Sequence, residues 1–309
     1  MSESSTPSAT YAARRLHQDR FVSLRGLPHH LLQWGDHSLV TPKKPLLVML
    51  HGWMDVGASF QFVVDAMAGE RCIVAMDWRG FGLSDSGGSD SYWFPDYLGD
   101  LDALLDHLSP DAPVDLLGHS MGGNVVMSYA GVRPARIRRL VNLEGFGMPD
   151  MRPELAPRRL GEWLDSLKEP QSLKPYPSLA AVAERLIKTN PRLSVDKARW
   201  LAPHWSREVD GEWIILGDPA HKRPNPVLYR AAEIVATWGR IIAPTLWVEG
   251  DSTNVTKWWG DRYPRSAFED RLAVVPDLKR ELLVDAGHML HHDQPQALAS
   301  HLRAFLGDD

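Results

Sequence analysis

Along the chain, short apolar runs alternate with longer stretches in which apolar residues recur every three or four positions. Short runs that end in Gly, Asp or Glu predict strands buried on both faces, and the helical spacing between them predicts the crossovers of a mostly parallel sheet. Residues 46–50, 73–77, 114–117, 140–143, 245–249 and 281–284 fit this pattern. Ahead of them, residues 20–25 and 29–34 are more amphipathic and predict an antiparallel edge hairpin. The sum is an α/β fold with an eight-stranded, mostly parallel sheet flanked by helices.

The rhythm breaks once. About 95 residues, 146–240, separate the strand ending at Leu143 from the one beginning at Thr245. This stretch holds 11 of the 23 prolines and 5 of the 12 tryptophans, and its clearest patterns, at 178–189 and 194–200, are helical. Because the sheet must resume at Thr245, the stretch predicts a helical cap inserted before the last two strands rather than a separate domain. The organisation expected is a core of residues 19–146 and 241–309, a cap of 147–240, and a disordered N-terminus of 1–18, rich in Ser and Thr at its start.

Composition narrows the function. At 309 residues and 44% hydrophobic, the chain can bury a full core. Its net charge of −5 offers no broad cationic field, so neither nucleic acid nor an anionic membrane surface is an expected partner. The single cysteine, Cys72, falls in an apolar run and predicts a buried residue, with no disulfide within the chain. No apolar stretch follows the N-terminus as a secretory signal requires, and no window reaches the ~18 apolar residues of a membrane span. A cytoplasmic location is the expectation.

Candidate chemistry begins where Val114-Asp115-Leu116-Leu117 runs into Gly118-His119-Ser120-Met121-Gly122-Gly123, followed by a helix-like stretch at 124–130. Strand, sharp turn, helix is the setting that lifts a serine hydroxyl above a sheet, and its neighbours two positions away come too close for side chains. Ser120 is therefore the predicted nucleophile. The first amides of the new helix, Met121 foremost, point toward the reaction centre, where they can stabilise an oxyanion.

Together with two further strings, this turn resembles the α/β-hydrolase superfamily over residues 20–306. His51-Gly52-Trp53, after the strand at 46–50, resembles the family's oxyanion loop, which implies that the Trp53 N–H is the second donor. Asp77-Trp78-Arg79-Gly80-Phe81-Gly82-Leu83-Ser84 resembles the family's turn after the next strand, with Asp77 and Arg79 in structural roles. Within the superfamily the chain looks most like serine hydrolase-like proteins and small acyl esterases.

A serine hydroxyl needs a base to take its proton. Among 13 histidines, His288 follows the last predicted strand and a turn, Asp285-Ala286-Gly287, which delivers it to the same sheet edge as Ser120. Asp293-Gln294-Pro295 then resembles the family's acidic residue and proline. His291 and His292 read as loop or pocket-wall residues, His51 and His119 as supports of the oxyanion loop and the elbow. No His-Glu-x-x-His helix or similar spacing occurs, so no metal and no other cofactor is expected.

The orienting acid departs from the family. Its usual place, three residues beyond the glycine that follows the post-cap strand, is Thr253. Two carboxylates compete for the role. Glu144 ends the strand before the cap, where some family members carry their acid, and Asp251 lies near the usual place but out of register; Ser252 would support the relocated acid. Expected site residues are thus Ser120, His288 and Glu144, with Asp251 as the rival to Glu144, and Trp53 and Met121 as backbone donors. A serine hydrolase acting on a small carboxylic ester is the leading expectation. The alternatives are a C–C or amide hydrolase with the same residues, and a binding protein that has lost catalysis. Haloalkane dehalogenase and epoxide hydrolase activities are disfavoured, since both attack with an aspartate where this chain has Ser120.

Overall fold

A computed structural model describes residues 10–67 and 69–308. The edge hairpin forms as expected from β1 (Gln18–Leu24) and β2 (Leu27–Trp34), paired antiparallel around Arg25 and Gly26. It is followed by β3 (Leu47–Leu50), α1 (Gln61–Ala66), β4 (Ile73–Met76), α2 (Phe94–Leu108), β5 (Val114–His119), α3 (Met121–Val132) and β6 (Ile137–Leu143). Every residue of β3, β4 and β5 is buried, which explains why these strands read as unbroken apolar runs rather than alternating ones.

Between β6 and the next strand of the large sheet come α4 (Ala156–Leu167), α5 (Leu179–Thr189), α6 (Val195–Trp205), β7 (Ser206–Val209), β8 (Glu212–Ile215) and α7 (Ala231–Trp238). The insertion is therefore not purely helical. β7 and β8 form a two-stranded antiparallel sheet in which Val209 faces Glu212, leaving Asp210 and Gly211 as a two-residue turn. Both turn residues have positive φ, 51° and 82°, as the tight hairpin turns that match strand twist demand. The hairpin is tied back to the loop after β4: Gly82 N–H donates to the Leu216 carbonyl and Asp218 N–H to that of Gly80.

The chain closes with β9 (Thr245–Gly250), α8 (Thr256–Trp259), α9 (Arg265–Leu272), β10 (Leu278–Leu283), α10 (Leu290–Asp293) and α11 (Pro295–Leu306). The large sheet has the order β1-β2-β4-β3-β5-β6-β9-β10, antiparallel only in the β1–β2 and β2–β4 pairs. β10 was expected among the fully buried strands. It is instead the outer edge of the sheet, where only Leu283 is buried and Lys279, Arg280 and Leu282 are exposed, because no strand lies beyond it.

Helices cover both faces. One core unites Val48, Leu116, Val125, Val126 and Trp247, the other Leu47, Leu117, Val141, Val248 and Leu302. Each such side chain stabilises the fold by about 1.5–3 kcal/mol through removal from water. Cys72 is buried within the first core. Among the described residues no helix is long and apolar enough to cross a membrane.

The N-terminal expectation divides. Residues 1–9 lie outside the described residues, whereas 10–17 are held in place. The Tyr11 hydroxyl and the Arg14 and Arg15 N–H groups all donate to the Asp65 carboxylate on α1, and Tyr11 N–H donates to the Asp196 carbonyl. A carboxylate collecting three donors orders a segment whose composition alone suggests none.

Candidate active site

β5, β6, β9 and β10 are adjacent in the sheet, so the residues that follow them meet at one carboxyl edge. Ser120 follows β5 directly and caps α3 with φ 53° and ψ −113°, a conformation that side chains disfavour. The glycines explain how it is tolerated. A β-carbon on Gly118 would lie 2.3 Å from the Gly122 carbonyl oxygen, so strand and helix could not fold back on each other with any larger residue there. The turn is locked by Ser120 N–H donating to the Leu143 carbonyl at 2.8 Å.

His288, beyond β10, places its Nε2 2.9 Å from Ser120 Oγ and its Nδ1 2.7 Å from Glu144 Oε2. Glu144 directly follows β6, and its other oxygen accepts the Gly250 N–H at 2.7 Å. The three expected side chains thus form one continuous hydrogen-bonded line. Of the two competing carboxylates, Glu144 is the one in contact with the imidazole. Asp251 is exposed and accepts from the Ala286 N–H and the Ser252 hydroxyl. Ser252 accepts in turn from Arg192 rather than supporting Glu144. Thr253, in the place of the usual family acid, lies beside the Glu144 carboxylate.

Burial governs the protons of this pair. Glu144 is 1% exposed, and desolvation raises its affinity for a proton against the pull of the Gly250 N–H. Burial lowers the proton affinity of His288, so the ring rests neutral, with a lone pair free at the nitrogen facing Ser120.

The loop after β3 closes the site from the other side. A β-carbon on Gly52 would lie 3.2 Å from Ser120 Cβ, a measure of how tightly this backbone passes the serine. His51 braces the loop, since its Nε2 accepts the Trp78 N–H and its Nδ1 donates to the Gly52 carbonyl. His119 likewise braces the elbow by donating from Nε2 to the His288 carbonyl at 2.8 Å. Neither the Trp53 nor the Met121 N–H meets a protein acceptor among the described residues.

Asp77 and Arg79 take structural roles. Asp77 accepts from His30, the Gly57 N–H and the Leu83 N–H, while Arg79 pairs in a fork with buried Asp100. One residue at the site escapes sequence reasoning. Trp258, on α8, sets its ring edge-on to His288 at 4.6 Å and is 42% exposed, forming a wall beside the base. Nothing in its local pattern separates it from the other tryptophans.

Comparisons with known proteins bear on the fold that carries this geometry. A serine hydrolase-like protein of Danio rerio is 24% identical over 276 residues, 85% of this chain and 81% of its own. The 3-hydroxybutyrate-oligomer hydrolase of Cupriavidus necator is 26% identical over 299 residues, 93% of this chain and 94% of its own. Among solved structures, a thioesterase domain from the curacin biosynthetic pathway superposes with a TM-score of 0.80 at 26% identity, covering 93% of this chain and 99% of that one. The sequence model of the alpha/beta hydrolase fold matches residues 45–295, more than half of the chain, and with the eight-stranded sheet and its serine elbow this establishes that the protein belongs to the α/β-hydrolase family.

Proposed function

We propose that the protein is a serine hydrolase that cleaves carboxylic esters through an acyl-enzyme. The observation that carries this reading is the line Ser120 Oγ, His288 Nε2, His288 Nδ1, Glu144 Oε2, with both contacts within 2.9 Å. His288 takes the Ser120 proton as Oγ bonds to the acyl carbon, and returns it to the departing alkoxide when the tetrahedral intermediate collapses. Water then attacks the acyl-serine by the same route, releasing the acid and restoring Ser120. Glu144 holds the Nδ1 proton and stabilises the imidazolium that forms in each half-reaction. The Trp53 and Met121 N–H groups receive the oxyanion, each worth about 10²- to 10³-fold in rate. The relatives described above, one a hydrolase of hydroxybutyrate oligomers, support ester substrates.

A fluorophosphonate probe and a series of p-nitrophenyl esters of rising acyl length test the proposal. The wild-type protein should be labelled and Ser120→Ala should not, and at least one ester should turn over. Labelling without turnover of any ester would instead favour an amide or C–C substrate. Failure to label would remove the nucleophile and leave a binding protein.

A further inference from the structure

Directly behind the nucleophile, three side chains that hydrolysis does not use converge. Asp55 follows the loop that carries Trp53, His119 is the last residue of β5 before Ser120, and His291 lies three residues beyond His288 on α10. One oxygen or ring nitrogen from each falls within 4.8 Å of the others. The residues are 4%, 2% and 0% exposed.

The protein leaves these atoms without bonds of their own. Asp55 Oδ2, His119 Nδ1 and both ring nitrogens of His291 lack a hydrogen-bond partner among the described residues. Asp55 Oδ2 and His291 Nε2 stand 3.9 Å apart, beyond hydrogen-bond reach. The remaining bonds reveal which lone pairs are free. His119 Nε2 donates to the His288 carbonyl, which can only accept, so His119 Nδ1 carries a lone pair rather than a proton. Asp55 Oδ1 is engaged by the Val56 N–H and the Ser59 hydroxyl, which orients Oδ2 inward. Buried polar atoms without a hydrogen-bond partner are costly to keep, and a cation bound by their lone pairs removes that cost.

We propose that Asp55, His119 and His291 form a binding site for a divalent transition-metal ion, Zn²⁺ in the first instance. Two imidazoles and one carboxylate suit zinc and its neighbours rather than magnesium or calcium, which prefer all-oxygen shells. Part of the second shell that metal ligands need is already built: His119 turns its far nitrogen to a carbonyl and Asp55 is fixed by two donors, while His291 is held by packing alone. The ion would join the oxyanion-loop segment, the nucleophile strand and the loop carrying the base, without occupying Ser120 Oγ or His288 Nε2. The site does not depend on the role proposed for Ser120, so either reading can fail alone.

The test uses the full chain, stripped with a chelator and then incubated at length with Zn²⁺ or Co²⁺, since the site is enclosed. Expected are one equivalent of bound metal, a higher unfolding temperature, and an X-ray absorption spectrum showing two imidazoles and one carboxylate oxygen. Asp55→Asn and His291→Gln should each weaken binding by at least about 100-fold, more than loss of a second-shell partner does. Absence of stoichiometric binding, or binding that persists in the double variant, would overturn the site. Should the variants not fold, a wild-type absorption spectrum with fewer than two imidazoles would do the same.

Discussion

Among the described residues, Ser120 is one of four non-glycine residues with positive φ in the loops at the carboxyl edge of the sheet, together with Met54 at 54°, Glu144 at 55° and Asp285 at 55°. Each such residue costs of order 1–3 kcal/mol, and such strain collects where side chains must be aimed at one point. At this scale the proposed chemistry separates the two carboxylates. Ser120→Ala or His288→Ala should lower kcat on an activated ester by about 10⁶-fold, and Glu144→Ala by about 10⁴-fold, as in serine proteases. Asp251→Ala should leave kcat within a few-fold of wild type, because this carboxylate is exposed and bonds the Ser252 hydroxyl and the Ala286 N–H rather than the imidazole. Steady-state kinetics of the four variants, with circular dichroism to confirm folding, checks the assignment; a large loss in Asp251→Ala alone would reverse it.

At the scale of elements, the turn after β4 is held to α2 by the fork between Arg79 and buried Asp100. Burial pushes the Asp100 carboxyl up, but its bonds to Arg79 outweigh burial and hold it below the ordinary aspartate value. A carboxylate whose folded pKa lies below its unfolded one, near 3.9, contributes stability that is complete above that value and is lost as pH falls through the folded pKa. Urea unfolding should therefore show stability dropping steeply below about pH 4, and Asp100→Asn should flatten that drop while lowering stability at pH 7 by roughly 3–5 kcal/mol, since buried Arg79 loses its fork and keeps only the contact with Asp96 at 3.4 Å. The β7–β8 hairpin teaches a different lesson at this scale. Val209-Asp210-Gly211-Glu212 carries a strong hairpin signal, an Asp-Gly pair between β-prone residues, and was available to sequence reasoning. It is hidden by its surroundings, where prolines and helical patterns dominate and each strand has only four residues.

Across the whole molecule, the segment after the last helix is clamped to the sheet by one guanidinium. Buried Arg71 binds Asp308 through one nitrogen, and through another both Asp115 at the foot of β5 and the Pro45 carbonyl before β3. Asp308→Ala should cost about 1.5–3 kcal/mol of unfolding free energy, the worth of a bond to a charged group, without changing kcat on an ester that fits the site. Thermal unfolding and kinetics measured together check this, and an intact unfolding temperature would show that the clamp carries no load.

What the chain's order of residues determined by itself is local. Unbroken apolar runs specify buried strands because both faces of an inner strand are covered, and the Gly118 to Gly122 string specifies an elbow because only glycine permits that close return. The turn after the last strand likewise marks His288 as the candidate base. What the tertiary structure alone decided depends on which strands lie side by side. That β6 and β9 are neighbours brings Glu144, rather than Asp251, to the imidazole and to the Gly250 N–H. The same strand order gathers Asp55, His119 and His291, which no spacing along the chain connects. Side chains far apart in sequence meet only through the sheet's register, a property of the folded chain that local pattern cannot carry.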